Sequence, residues 1–96
     1  MNRHNDKGIK DLVSSFIDHY KLKPKYYEYK IRNYWTEEMN PLANRYTTQI
    51  KIKEFKLYVH ISSASVKHEL TLGREKIKDN INEWLGEEYL KEVVLI

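Results

Sequence analysis

Four histidines, His4, His19, His60 and His68, are the side chains of this 96-residue chain best suited to hold a metal or move a proton. Their spacing argues against both. A zinc-binding helix presents ligands one turn apart on a single face. None of the four stands at i, i+4 from another histidine or beside a matching carboxylate pair, and the adjacent His68 and Glu69 point apart. Glu37-Glu38 and Glu87-Glu88 are neighbours in sequence. General acid–base chemistry needs carboxyls that converge on one proton, so these pairs read as solvated. Ser62, Ser63 and Ser65 have no base beside them and read as helix caps. Neither GxxxxGK[ST] nor GxGxxG occurs, and there is no cysteine. Phosphate cradles of those kinds, disulfides and thiolate metal sites are therefore excluded. The expectation is a chain without catalysis, metal, cofactor or small-molecule substrate.

The residues that remain suggestive are cations set among aromatic rings. Tyr26, Tyr27, Tyr29 and Tyr34 lie among Lys21, Lys23, Lys25, Lys30 and Arg32, and Arg45 follows. Lys51, Lys53, Lys56 and Tyr58 form a second group. Such interleaving stacks bases while neutralising phosphates. The structural alternative is an amphipathic helix that buries some rings and snorkels its lysines, with further lysines keeping an exposed sheet face soluble. The net charge is only +3, but residues 1–56 hold 12 Lys and Arg against 7 Asp and Glu, and the remainder holds 5 against 7. That asymmetry is compatible with a nucleic-acid partner. Lys21, Lys23, Lys25, Lys30, Arg32, Arg45, Lys51, Lys53, Lys56 and Tyr58 are the candidate nucleic-acid-binding residues.

What must position them is the stretch from Tyr46 to Ile61. Apolar or small residues recur there at every second place: Tyr46, Thr48, Ile50, Ile52, then Phe55, Leu57, Val59 and Ile61. Period two marks a half-buried strand. The parity changes once, across Lys53-Glu54, so a hairpin turning there pairs Ile52 with Phe55, Ile50 with Leu57, Thr48 with Val59 and Tyr46 with Ile61. A four-residue loop keeps the same pairing. The opposite face then carries Thr47, Gln49, Lys51, Lys56, Tyr58 and His60, with Lys51 across from Lys56.

Around the hairpin, residues 1–5 read as a disordered tail. Asp6 caps a helix to about Leu22 whose stripe is Ile9, Leu12, Val13, Phe16, Ile17 and Tyr20. Pro24 opens a second helix to about Met39, with Tyr27, Ile31, Tyr34, Trp35 and Glu38 on one side and Trp35 as its anchor. Asn40-Pro41 stops it, and residues 42–45 lead into the hairpin. A third helix runs from Ser63 or Ala64 to Leu85 with Val66, Leu70, Gly73, Ile77, Ile81, Trp84 and Leu85 on its stripe. Gly73 there suggests close approach of a neighbouring element, and Gly86 ends the helix. Val93–Ile96 reads as a final strand beside the hairpin. The order is α-α-β-β-α-β, an α+β fold with a small three-stranded sheet and helices on one face, in a single domain spanning 1–96. No run approaches a membrane span, no signal-like segment opens the chain, and a cytoplasmic location with no membrane contact is expected.

In order and spacing these features resemble the DciA-like family, long listed only as a domain of unknown function. The resemblance is carried by Trp35 in its helix, the bend Met39-Asn40-Pro41, Leu42-Ala43 before Thr47, the strand and serines of residues 57–63, Glu69-Leu70, Ile81-Asn82, Gly86 and the Val-rich end. It covers about Ile9 to Ile96. It implies a KH-like fold and a part in bacterial DNA replication, assisting the loading of the replicative helicase onto single-stranded DNA through contact with both. The alternative of a different class is a protein-interaction module, docking through exposed tyrosines or an open sheet edge, without nucleic-acid binding of its own.

Overall fold

The alternating stretch does form a hairpin, β1 (Thr47–Lys53) and β2 (Lys56–Ile61), in a computed structural model that describes residues 2–96, with side chains from residue 8 onward. Around it lie α1 (Asn2–His19), α2 (Lys23–Glu38), α3 (Pro41–Tyr46), α4 (Ala64–Leu72), α5 (Arg74–Leu85) and β3 (Glu92–Leu95). The sheet order is β1-β2-β3, with β1 antiparallel and β3 parallel to the central β2. The parallel pairing follows from connectivity, because α4 and α5 form the crossover that parallel neighbours require. The class is α+β, as expected, with two more helices than the pattern implied.

Burial alternates strictly along β2. Leu57, Val59 and Ile61 are buried, while Lys56, Tyr58 and His60 are only half-buried. The inner face closes a core with Ile31 and Trp35 of α2, Ala43 of α3, Val66 and Leu70 of α4, Ile81 and Leu85 of α5, Leu90 and Val93. Trp35 and Ile31 have no exposed surface, so the aromatic anchor of α2 is where its pattern placed it. Full burial of a side chain of that size contributes about 2–3 kcal/mol.

Several boundaries differ for identifiable reasons. The turn is Glu54-Phe55, not Lys53-Glu54. Both residues have positive φ, 52° and 66°, as a primed hairpin turn requires. Ile52 thus faces Leu57, Ile50 faces Val59 and Lys51 faces Tyr58, while Lys53 stands across from Lys56. Phe55 is drawn out of the inner face into the loop, where its ring meets Tyr89 at 5.2 Å and its carbonyl accepts from Lys91 N at 2.8 Å. A shift of register between Thr47 and Gln49 leaves Thr48 unpaired. Residues 41–46 coil into α3 because the Asn40 side chain accepts from Ala43 N at 2.8 Å and Pro41 sits in the first turn. Tyr46 therefore ends a helix instead of opening a strand.

The expected third helix is broken at Gly73, whose φ of −102° and ψ of 13° interrupt the ladder. A Cβ added there would meet only the Leu70 carbonyl oxygen, at 4.0 Å. Gly73 marks the break between α4 and α5, not a close approach to the hairpin, and Trp84, expected on the buried stripe, is 44 % exposed. The two ends read from sequence hold. Ser63 Oγ accepts from Val66 N, and Gly86 closes α5 with φ at 84°.

The largest departure is α1. Its stripe is amphipathic as expected, but Leu12 is 72 % exposed and Ile9, Phe16 and Tyr20 are more than half exposed. Helix α1 begins at Asn2, ahead of the Asp6 expected to cap it. Helices α2, α4 and α5 line the core against the inner face of the sheet, and α1 packs beside α2. The molecule measures 49 × 28 × 20 Å. No helix among the described residues is long and apolar enough to cross a membrane.

Candidate nucleic-acid interface

With all helical cover on one side, the other face of the sheet is open. Its rows follow from the register: Gln49, Lys51 and Lys53 on β1, Lys56, Tyr58 and His60 on β2, Glu92 and Val94 on β3. Tyr58 lies at the middle, between Lys51 and Val94. Tyr58 is half-buried, with Lys51 across from it on β1 and Lys56 two residues before it on β2, the combination of ring and cation that base stacking beside phosphate neutralisation calls for. Lys53 and Lys56 face each other directly, an unfavourable like-charge pair. Glu92, alongside Lys56 on β3, offsets part of it, with the lysine nitrogen 3.5 Å from its carboxylate. Lys51 and Lys53 are exposed and make no ion pair among the described residues.

The other candidates fall elsewhere. Lys21, Lys23, Lys25, Lys30 and Arg32 lie on α2 or just before it, in the helical layer that covers the opposite side of the sheet. Three are already engaged. Lys23 Nζ lies 2.8 Å from Glu87 Oε1 and 5.4 Å from the centre of the Tyr27 ring. Lys30 Nζ lies over Tyr26 at 5.6 Å and Trp84 at 6.0 Å. Arg32 donates from Nε to Glu28 at 3.2 Å and from Nη2 to the Ile50 carbonyl at 2.9 Å, capping the outer edge of β1. Arg45 on α3 stacks over Tyr46 at 5.9 Å. Lys21 occupies the left-handed turn between α1 and α2, and both it and Lys25 are exposed. The structure thus gathers Lys51, Lys53, Lys56 and Tyr58 on one surface and separates them from the α2 cations.

Much of the tyrosine signal in α2 is structural. Tyr27 donates to Glu87 at 2.7 Å and packs edge-on against Tyr89 at 4.7 Å. Burial, then the hydrogen bond to Glu87, pushes its pKa up to about 12. Glu87 is held below the ordinary carboxylate value by its hydrogen bonds from Lys23 and Tyr27. Tyr34 meets Trp84 edge-on at 5.7 Å, and burial raises its pKa too. These rings tie α2 to α5 and to the segment before β3, and of the group only Tyr29 is strongly exposed. Glu87, the neutralising partner of Lys23, was not foreseen, since nothing near residue 23 signals a partner so distant in the chain. An open cleft of about 420 Å³ beside this cluster is lined by Lys23, Pro24, Glu54, Phe55, Glu87 and Tyr89. No group of three or more histidines and carboxylates comes together among the described residues.

No curated protein and no solved structure matches the chain significantly. The profile of one family, described as Dna[CI] antecedent, DciA, matches residues 8–95. The motifs on which the resemblance rested have definite structural jobs: Trp35 fills the core, Asn40 caps α3, Asn82 pins the approach to β3 and Gly86 closes α5. On that match the chain is a member of the DciA family.

Proposed function

We propose that this protein is a non-enzymatic accessory factor of the replicative-helicase-loader type, acting in the cytoplasm, and that its open sheet face engages single-stranded DNA. Family membership supports the accessory role. The observation that carries the DNA reading is the uncovered row of Lys51, Lys53, Lys56 and Tyr58 around the central strand. Its chemistry is phosphate neutralisation plus stacking, which tolerates any sequence, as a factor acting wherever a helicase is placed requires. Contact with the helicase itself belongs to the same proposal.

The test is fluorescence anisotropy of a labelled oligonucleotide across a salt series. Binding in the micromolar range with a steep negative log–log slope is the expected result. Absence of binding at low salt would leave the protein-interaction reading, whose own observation is the exposed apolar face of α1. Retention of the purified replicative helicase in a nuclease-treated pull-down tests the helicase contact separately.

A further inference from the structure

Ile9, Leu12, Val13, Phe16 and Tyr20 are 45–72 % exposed, and Ile17 is the single half-buried residue of their stripe. Together they present roughly 500 Å² of contiguous apolar surface, as much as a free monomer commonly shows and typical of an interaction site. A helix of this length is marginal in water unless its apolar face is packed. The face therefore calls for an occupant, and the order of residues along it says which.

Ile9, Val13, Phe16 and Tyr20 follow one another at spacings of four, three and four, the repeat of a helix-pairing seam. The two branched aliphatic residues come first and the two aromatic residues last. Laid antiparallel on a second copy about an axis between Ser14 and Ser15, α1 sets Ile9 against Tyr20 and Val13 against Phe16, and the twofold repeats both layers. Every large ring then faces a smaller side chain, so the layers fill evenly. A parallel pair sets Phe16 on Phe16 and Val13 on Val13, which alternates overfilled and underfilled layers. Lys10 falls beside Ile17 of the second copy, while Asp11 and Asp18 lie on the far side of each helix and stay solvated. Those two carboxylates also weigh against an anionic membrane as the occupant, because they offset Lys10 of α1 and Lys21 in the turn after it.

We infer that α1 is a self-association helix, pairing antiparallel with α1 of a second copy of this chain. Two such faces closing remove on the order of 1,000 Å², at the lower limit for a specific interface, so the dimer is weak and concentration-dependent. The rest of each protomer continues from the His19 end of α1, so an antiparallel pair about that axis sets the two His19 ends about 14 Å apart along the helix. The inference is independent of the DNA reading. If both hold, the dimer presents two open sheet faces to one strand and gains from effective concentration.

Sedimentation velocity of the full chain, from low micromolar to near-millimolar concentration, reads the state directly. The expected result is a shift from monomer to dimer for the natural sequence and a monomer throughout for Val13→Glu/Phe16→Glu, with the thermal transition of the body retained. Register is read by single cysteines, since the chain has none of its own. Ile9→Cys mixed with Tyr20→Cys should form a disulfide dimer that neither variant forms alone. The inference is overturned by a monomer at every concentration, by a dimer that survives Val13→Glu/Phe16→Glu, or by Ile9→Cys cross-linking to itself as readily as to Tyr20→Cys. A monomer that instead co-sediments with anionic vesicles also overturns it, in favour of a lipid surface.

Discussion

The indole of Trp35 donates from Nε1 to the Thr47 hydroxyl at 2.9 Å, and that hydroxyl donates in turn to the Ala43 carbonyl at 2.7 Å. One threonine thereby joins α2, α3 and the first residue of β1. Trp35 has no exposed surface, so its N–H has no water to fall back on. Thr47→Val keeps the shape and removes the acceptor, and an orphaned buried donor costs about 1–3 kcal/mol. Thr47→Ser keeps the hydroxyl and is expected to lose less than half as much. Urea unfolding of the two variants makes the comparison, and equal losses would show that the methyl group, not the hydrogen bond, is what matters.

Asn82 is the one buried polar residue in the core among the described residues. Its Nδ2 donates to the Leu90 carbonyl at 3.0 Å, and its Oδ1 accepts from Leu90 N at 2.8 Å and Tyr89 N at 3.2 Å. The side chain imitates a strand and fixes the segment between α5 and β3. Asn82→Leu leaves these backbone groups unpaired in an apolar setting and is expected to cost about 3 kcal/mol. Asn82→Asp still accepts twice but cannot donate to Leu90 and buries a charge, so it should be no milder. Thermal unfolding together with amide exchange at Leu90 checks both. Retained protection at Leu90 in Asn82→Leu would contradict this account.

The Lys23–Glu87–Tyr27 cluster gives stability a definite pH window. Tyr27 titrates near 12 in the folded state against an ordinary 10.0, so its contribution is complete below pH 10 and is lost as pH rises toward 12. Tyr34 and Tyr89 are shifted in the same direction by burial. Glu87 is shifted down from 4.5, so its contribution is present above that value and disappears as pH falls through the folded one. The acid effect is small, because the carboxylate and its lysine are both more than a third exposed. Urea midpoints measured at pH 8 and pH 11 should differ less in Tyr27→Phe than in the natural sequence. A fall between those pH values as large as before would assign the alkaline loss to other tyrosines.

How far the chain could be read from its residues differs from element to element. Alternation between Thr47 and Ile61 is legible because one sheet face is buried, and local caps such as Ser63 and Gly86 announce helix ends by backbone chemistry alone. The exact turn was not legible. A loop at Lys53-Glu54 and one at Glu54-Phe55 both put Ile50, Ile52, Leu57, Val59 and Ile61 on one face and differ in the place of Phe55, whose contacts with Tyr89 and Lys91, far along the chain, fix it in the turn. The stripe of α1 says that the helix has a face to cover, not that this chain covers it. The candidate site divides for the same reason. Lys51, Lys53, Lys56 and Tyr58 share a strand surface that the period fixes, whereas the fate of Lys23 depends on Glu87, whose approach no local pattern encodes.

Glu54 and Phe55 hold a conformation that neither residue favours. Phe55 is retained there by its contacts with Tyr89 and by Lys91 Nζ, 5.2 Å above its ring. Glu54 has no such compensation among the described residues. Glu54→Asn relieves the left-handed strain and is expected to stabilise the fold by about 0.5–1 kcal/mol. Phe55→Gly relieves the same strain at the second position but forfeits the packing, so it should be neutral or destabilising. Denaturant midpoints of the two variants give the sign of each, and a loss of stability in Glu54→Asn would mean that the Glu54 side chain contributes something its geometry does not reveal.

The two groups of cations make opposite predictions for DNA. On the open face, Tyr58→Ala removes the stacking surface and should weaken single-strand binding by about 1–3 kcal/mol, while leaving the salt slope nearly unchanged. Lys51→Ala and Lys53→Ala each remove a phosphate contact, so each should lower the slope by about 0.7 and weaken every sequence equally. In the helical layer, Lys30 rests over Tyr26 and Trp84 and Arg32 is tied to Glu28 and the β1 edge. Lys30→Ala and Arg32→Ala should therefore change binding less than Lys51→Ala does, and Arg32→Ala should instead show as a loss of stability. Anisotropy titrations of these five variants over one salt series separate affinity from slope. Should the α2 variants carry the larger loss, DNA binds across the helices, and the open sheet face is left for a protein partner.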